Sequence, residues 1–148
     1  MAVITKYQNY VTNQFGAAPI NFASGGDTVK VMLTSSTYTP SASSDTWKSS
    51  VTNEVTGGGY TAGGATVTTS TSNSGGTLSV TGNSVTWVIN AGGFSNARYA
   101  VIYKDTGNAA TSPLIGYIDL GANQSNVTGS LILNWNNSSN SGTIFTVA

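Results

Sequence analysis

The hydrophobic residues of this chain recur with a period of two over much of its length. In the segment TVKVML (28–33), Val29, Val31 and Leu33 fall on one face of an extended strand. Such alternation is typical of a half-buried strand, because successive side chains point to opposite sides of a sheet. The same pattern predicts two more half-buried strands, at 84–89 and 127–135.

Two other segments are apolar on both faces, namely RYAVIY (98–103) and PLIGYIDL (113–120). In a strand that is covered on both faces, apolar residues occupy successive positions and do not alternate with polar ones. These segments are therefore predicted to be central strands. Weaker strand patterns occur at 64–71, 77–81 and 143–147.

Turn residues separate these runs, and tight hairpins are predicted at Gly75-Gly76 and Gly82-Asn83. Longer loops are predicted at 104–112 and 136–142. A polar connection with one helical turn at 45–49 is predicted within 34–50. The number and spacing of the short strands predict an all-β fold, a single antiparallel β-sandwich of jelly-roll type.

The N-terminal segment ITKYQNYVTNQF (4–15) has a different period. It places Tyr7, Tyr10 and Val11 at helical spacing, before Gly16 and Pro19. The pattern predicts either a short helix or an extended arm. The domain organisation that follows is an N-terminal arm or helix at 1–22 and a β-sandwich domain at 23–148.

Charge is scarce, since 7% of the residues are charged against about 25% in a typical domain. The five basic and five acidic residues cancel and do not cluster. A nucleic-acid-binding surface needs a basic patch, so no nucleic-acid partner is expected. No apolar run approaches the ~20 residues that span a bilayer, and no secretion signal is recognised at residues 1–10. No membrane association is expected, and the sequons at Asn126 and Asn137 are interpreted as chance matches.

The chain has neither histidine nor cysteine, which removes Ser–His and Cys–His nucleophiles and thiolate metal sites. A pair of carboxylates is the remaining route to catalysis, because glycosidases need only two acids beside the sugar. Asp105 and Asp119 lie on or beside neighbouring predicted strands and could approach each other. The favoured alternative is that Asp105 starts a loop and that Asp119 faces solvent or bonds within a turn. No Asp-x-Asp-x-Asp spacing for calcium occurs. The sequence predicts a protein that is not an enzyme and holds no metal or cofactor.

The three tryptophans differ in their surroundings. Trp87 and Trp135 fall at inward positions of alternating strands, which favours core packing. Trp47 lies in the polar 34–50 connection with few apolar neighbours in sequence. It is predicted either to anchor an interface or to cap one end of the sandwich.

Five of the fifteen residues in NEVTGGGYTAGGATV (53–67) are glycine. A phosphate-binding loop needs a following helix and usually a lysine beside Ser or Thr. Here a β-branched run follows, and no lysine occurs between Lys48 and Lys104. The pattern favours two turns that need positive φ or close backbone approach, with Tyr60 as a packing anchor between them.

Two long segments, at 28–68 and 97–121, resemble a family of small structural proteins of tailed bacteriophages. The most distinctive motifs are GYTAGG (59–64) and RYAVIYKDTG followed by SPLIGYIDLG. KYQNYV before DTVKVMLT also fits the family. The resemblance covers most of the chain and departs at 34–50 and 121–142.

This family is described as virion structural or head-decoration proteins. The resemblance implies a decoration or cement protein on the capsid surface, which stabilises the head by bridging subunits of the major capsid protein. The expected partners are the major capsid protein and further copies of this chain, as a dimer or trimer. The alternatives are a tail, neck or fibre component, or a carbohydrate-binding module on the virion.

A contact surface is predicted at Tyr7, Tyr10, Val11, Phe15 and Trp47. Removal of residues 1–16 is expected to weaken docking and to leave the sheet folded.

Overall fold

The structure is a computed structural model, and it describes residues 3–135 and 141–148. Its strands are β1 (Thr5–Lys6), β2 (Val29–Thr34), β3 (Ala65–Val67), β4 (Thr69–Ser74), β5 (Thr77–Asn83), β6 (Val85–Trp87), β7 (Ala97–Lys104), β8 (Leu114–Gln124), β9 (Leu131–Leu133) and β10 (Ser141–Val147). Within the described ranges the helical elements are α1 (Gln8–Gln14) and a 3-10 turn (Lys48–Ser50). No described helix is long and apolar enough to cross a membrane.

The strands form antiparallel pairs in three sheets. One sheet has five strands in the order β1-β8-β7-β2-β3, the second has the order β10-β5-β4, and the third pairs β6 with β9. The prediction of an all-β, antiparallel sandwich is confirmed. In the five-stranded sheet, β2 and β3 are neighbours, as are β7 and β8, so strands that are consecutive in the chain lie side by side.

The main core lies between the five-stranded sheet and the two smaller sheets. Val29, Val31 and Leu33 of β2 face this core, as the alternation predicts. Trp87 and Trp135 enter it from the other side and are buried, so the prediction of core tryptophans is also confirmed.

A second apolar cluster covers the outer face of the five-stranded sheet. It contains Met32 and Val101 from the sheet and Tyr38 from the connection that follows β2. This polar connection folds over the sheet, and the Lys48 N–H donates to the Ser112 carbonyl at 2.8 Å. The central strands are therefore buried on both faces, which explains the doubly apolar pattern at 98–103.

Several local predictions differ from the structure. The hairpin at Gly75-Gly76 is confirmed, with φ of 57° and 80°, but the turn at Gly82-Asn83 is wrong. Gly82 lies inside β5, where it packs against Val67 and Ile144. The strand predicted at 127–135 shortens to Leu131–Leu133, and the helical turn of the 34–50 connection falls at Lys48–Ser50. The predicted loop at 136–142 and the sequon at Asn137 lie largely outside the described residues.

Candidate functional site

The N-terminal segment belongs to the sandwich and is not a free arm. Thr5 and Lys6 pair with Tyr117 and Gly116 of β8, and the Tyr7 N–H donates to the Ile115 carbonyl at 3.1 Å. The chain turns into α1 immediately afterwards, at Gln8. Of the two conformations that the sequence allows, a short helix is present, and a β-strand precedes it.

Tyr7 is fully buried, with 0% of its surface exposed. Its hydroxyl lies 3.1 Å from that of Tyr38, which donates to the Asp45 carboxylate at 2.7 Å. The same carboxylate oxygen accepts from the Ser41 N–H at 2.9 Å. Burial raises the pKa of both tyrosines above the ordinary value. Tyr7 therefore joins a buried polar network, which ties the N-terminus to the polar connection.

Tyr10 is also buried, at 5% exposure. Its ring meets Phe22 and Phe145 edge-on, with centroids 6.3 Å and 5.7 Å away, and burial raises its pKa to about 12. Tyr7 offers no surface to a partner and Tyr10 offers only a small one, which corrects their place in the predicted contact surface. Their loss would open both cores, so from the structure we expect removal of residues 1–16 to destabilise the sheet.

The exposed part of this segment is the outer side of α1. Phe15 is 87% exposed and Val11 is 51% exposed. Beside them lies a groove of about 290 Å³, which we call the α1 groove. Its lining comes from β1, from α1 and the segment that follows it, and from β5 and β10 of the three-stranded sheet. Its apolar members are Tyr10, Val11, Phe15, Phe22, Leu78, Val80, Phe145 and Val147.

Lys6 is the charged residue of the α1 groove. Its ammonium lies 5.4 Å from the Phe145 ring centroid and donates to the Thr146 carbonyl at 3.4 Å. This places one positive charge at the margin of an otherwise apolar surface. The α1 groove thus has the composition of an interface centre, in which aromatic residues are enriched and charges are few.

Trp47 lies apart from this surface. It is partly buried, and its backbone bridges to Pro113 at the start of β8. The structure therefore does not join it with Val11 and Phe15 in one continuous site.

The glycine-rich segment packs against the edge of the five-stranded sheet. Tyr60 donates to the Glu54 carboxylate at 2.7 Å and accepts from the Leu33 N–H at 3.0 Å. The same Glu54 oxygen accepts from the Gly63 N–H at 2.6 Å. Because β3 pairs only with Val29–Val31 of β2, the Tyr60 hydroxyl satisfies a donor that no strand reaches. The predicted role of Tyr60 as a packing anchor is confirmed.

Close approach explains why glycine is needed at position 58. A Cβ atom there would lie 1.5 Å from the Asn90 carbonyl oxygen, far inside van der Waals contact. The segment is followed by strand β3 and not by a helix. It therefore lacks the helix N-terminus that a phosphate-binding loop presents to its ligand.

Asn126 has a structural role that the sequence pattern did not indicate. It is fully buried. Its Oδ1 accepts from the Phe94 N–H at 2.6 Å, and its Nδ2 donates to the Val88 carbonyl at 3.3 Å. An amide buried in this way is inaccessible to a glycosyl transferase, so the sequon at Asn126 is not a surface modification site.

The two carboxylates considered for catalysis lie at opposite ends of β7. Asp105 forms an ion pair with Lys30 at 2.7 Å. Asp119 binds Arg98 through two contacts, at 2.7 Å and 3.0 Å. The length of β7 separates them by roughly 20 Å, whereas glycosidase carboxylates lie about 5–10 Å apart.

Lys104 bonds to Asp27 at 3.0 Å. Asp27, Asp105 and Asp119 are thus each paired with a basic side chain. No group of three or more acidic, histidine or cysteine side chains suited to a metal is found in the described ranges.

Comparison of the chain with family models, with curated proteins and with solved structures gives no match. The resemblance to the phage structural family therefore remains a prediction that rests on the motifs quoted above.

Proposed function

We propose that this protein is a capsid decoration protein of a tailed bacteriophage, which binds the exterior of the head and bridges subunits of the major capsid protein. The observation that carries the proposal is the exposure of Phe15 and Val11 beside the α1 groove. Exposed apolar patches mark interaction sites in soluble proteins. The motif resemblance to the phage family supplies the kind of partner.

The mechanism is stabilisation by linkage. A ligand that binds the assembled shell, and not its dissociated subunits, shifts the equilibrium towards the shell. A protein that contacts several subunits at once adds avidity. Such a role needs a rigid scaffold and a contact surface, and it needs no catalytic group.

Phe15 suits the role of central anchor. An aromatic ring buries a large apolar area with few rotatable bonds, and such residues dominate the energy of many interfaces. Lys6 at the groove margin adds a charge that favours an acidic rim on the shell subunit. The tail, neck and carbohydrate-binding alternatives have no particular contact in their favour within the described part of the chain.

The test is binding to shells that lack this protein, measured by co-sedimentation. We expect Phe15→Ala to weaken binding by at least about 2 kcal/mol, or roughly 30-fold in Kd. Val11→Ser should weaken it less, because the side chain is smaller. Both side chains are exposed, so neither change should alter thermal stability.

The matched control is Ile132→Ser, since Ile132 is 53% exposed on a different sheet. This variant should bind shells like the unmodified protein. Equal binding by Phe15→Ala and Ile132→Ser would reject the α1 groove as the docking surface. A failure of the unmodified protein to bind any shell would reject the proposed function.

A further inference from the structure

Strand β4 (Thr69–Ser74) is an open edge of the three-stranded sheet. It pairs with β5 on one side over six residues without a register shift, and no described strand pairs with its other side. Residues 70–74 are exposed. A regular, exposed edge presents a row of free backbone donors and acceptors, which is a template for another strand.

The other strand edges in the described ranges are short or guarded, and β6 and β9 have three residues each. β1 has two residues and β3 has three. β10 has a register shift between Thr143 and Phe145, and Lys6 reaches the carbonyl of Thr146 beside it. The part of β8 that extends beyond β1 carries Asp119 in an ion pair. Short strands, bulges and charges are the usual protections against edge pairing, and β4 has none of them.

The hairpin geometry determines which backbone groups are free. Gly75-Gly76 form a two-residue turn, and Ser74 is paired with Thr77 across it. The residues that flank such a turn form a hydrogen-bonded pair, and hydrogen-bonded positions then alternate along the strand. The N–H and C=O groups of Ser74, Ser72 and Ser70 therefore point towards β5.

The backbone groups of Thr69, Thr71 and Asn73 consequently point to the open edge. A hydrogen bond at the other end of the hairpin fits the same alternation, since the Asn83 N–H donates to the Thr68 carbonyl at 3.2 Å. Of these residues, Thr71 and Asn73 are exposed, whereas Thr69 is only 6% exposed. The free edge thus offers the Thr71 and Asn73 positions of an antiparallel ladder.

We propose that β4 pairs antiparallel with β4 of a second copy of this chain, so that two three-stranded sheets become one six-stranded sheet. An antiparallel pair of identical strands satisfies the free groups of both at once. The strand carries no charge, and the whole chain has a net charge of zero, so two copies approach without repulsion. Its hydroxyls also suit such a pair, since those of Ser70 and Thr81 already bond at 2.7 Å across β4 and β5.

A register centred on Thr71 keeps the exposed residues of both strands within the pair. It places Thr71 opposite the partner's Thr71, and Thr69 opposite the partner's Asn73. The two-fold axis then passes beside Thr71 and runs perpendicular to the sheet. In both protomers, the same face of the three-stranded sheet therefore lies on one side of the dimer.

That face carries Leu78 and Val80, which line the α1 groove. The dimer thus places both α1 grooves on one side, where they can engage two sites on a shell together. This last consequence rests on the proposed function, whereas the dimer itself does not.

The test measures the mass of the purified protein by sedimentation velocity over a concentration series, without any shell present. The unmodified protein should be a dimer. Thr71→Lys and Thr71→Glu should each give monomers, because like charges directly opposite each other destabilise a strand pair. An equimolar mixture of the two variants should recover the dimer, because opposite charges then face each other.

Thr86→Lys is the matched control, since Thr86 is an exposed threonine in strand β6; this variant should stay dimeric. Circular dichroism should show that all variants keep the fold. A monomeric unmodified protein would overturn the proposal, even if β4 then bound a strand of another protein. Dimers that persist in both single variants, or a mixture that stays monomeric, would also overturn it. None of these outcomes depends on binding to a capsid.

Discussion

At the scale of single residues, the hydroxyl of Tyr60 connects the glycine-rich segment to strand β2. Tyr60→Phe removes the bond to Glu54 and leaves the Leu33 N–H without its partner. We expect a loss of about 1–3 kcal/mol in the free energy of unfolding, measured by urea denaturation.

Tyr99→Phe is the control for this change. Tyr99 is partly buried, and its ring packs edge-on against Tyr38 and Tyr117, but no hydrogen bond of its hydroxyl is found among the described residues. This variant should unfold within about 0.5 kcal/mol of the unmodified protein. Equal losses in the two variants would show that the hydroxyl contacts of Tyr60 contribute nothing specific.

The prediction that Tyr7 and Tyr10 share one helical face is wrong, because the helical spacing was applied to a residue outside the helix. Tyr7 and Tyr10 have the spacing of one helical face, but α1 begins at Gln8. Tyr7 is still extended and enters the outer cluster, whereas Tyr10 enters the main core. Val11 and Phe15 are exposed, and the sequence alone could not distinguish them from the buried pair because all four are apolar or aromatic.

At the scale of elements, the loop that holds Gly58 packs directly against the backbone after β6. Gly58→Ala places a methyl group against the Asn90 carbonyl, and backbone cannot yield as a flexible side chain does. We expect a loss of about 3 kcal/mol, measured as a shift of the urea midpoint.

Gly129→Ala is the control, because a Cβ at the exposed Gly129 would meet nothing within 4 Å. It should leave stability unchanged or slightly raised. If both alanine variants unfold at the same urea concentration, the close approach at Gly58 does not constrain the fold.

Strands were predicted correctly where buried apolar residues recur regularly along the segment. The doubly apolar segment at 98–103 lies within β7, in the middle of the five-stranded sheet. The turn prediction failed at Gly82, which has the composition of a turn but faces Val67 and Ile144 across the core. Whether a glycine turns the chain or makes room for a neighbour depends on residues distant in sequence, which a local pattern does not contain.

At the scale of the whole molecule, ion pairs join the ends of the central strands. Hydrogen bonds from Lys30 and the Gly107 N–H hold the pKa of Asp105 below its ordinary value of 3.8. A lowered pKa in the folded state contributes stability above the ordinary pKa, and this stability is lost as pH falls through the folded value. We therefore expect the free energy of unfolding to decrease as pH falls below about 4.

The variant Asp105→Asn should reduce this dependence, because it removes the titrating carboxyl. Urea denaturation at pH 7, 4 and 2.5 checks the prediction in both proteins. The stability difference between them should be largest at neutral pH and should shrink in acid. A difference that is constant with pH would exclude the Lys30–Asp105 pair as its source.

The sandwich itself was predictable, but the strand order was not. Alternation reports which face of a strand is buried, and it says nothing about which strand lies beside it. The pairing of β2 with β7, in which Val29 lies opposite Lys104, joins segments that are far apart in the chain. The α1 groove likewise combines α1 with β5 and β10, which are far apart in the chain, so its outline could not be predicted from the sequence.

We propose that the protein is a stoichiometric part of a phage head. We would test this proposal first by quantitative mass spectrometry of virions purified from the source of this chain, as copies relative to the major capsid protein. A decoration protein of the head should give a fixed lattice ratio, equal to one or to a simple fraction such as one half or one third. A few copies per particle, or complete absence from particles, would contradict the proposal.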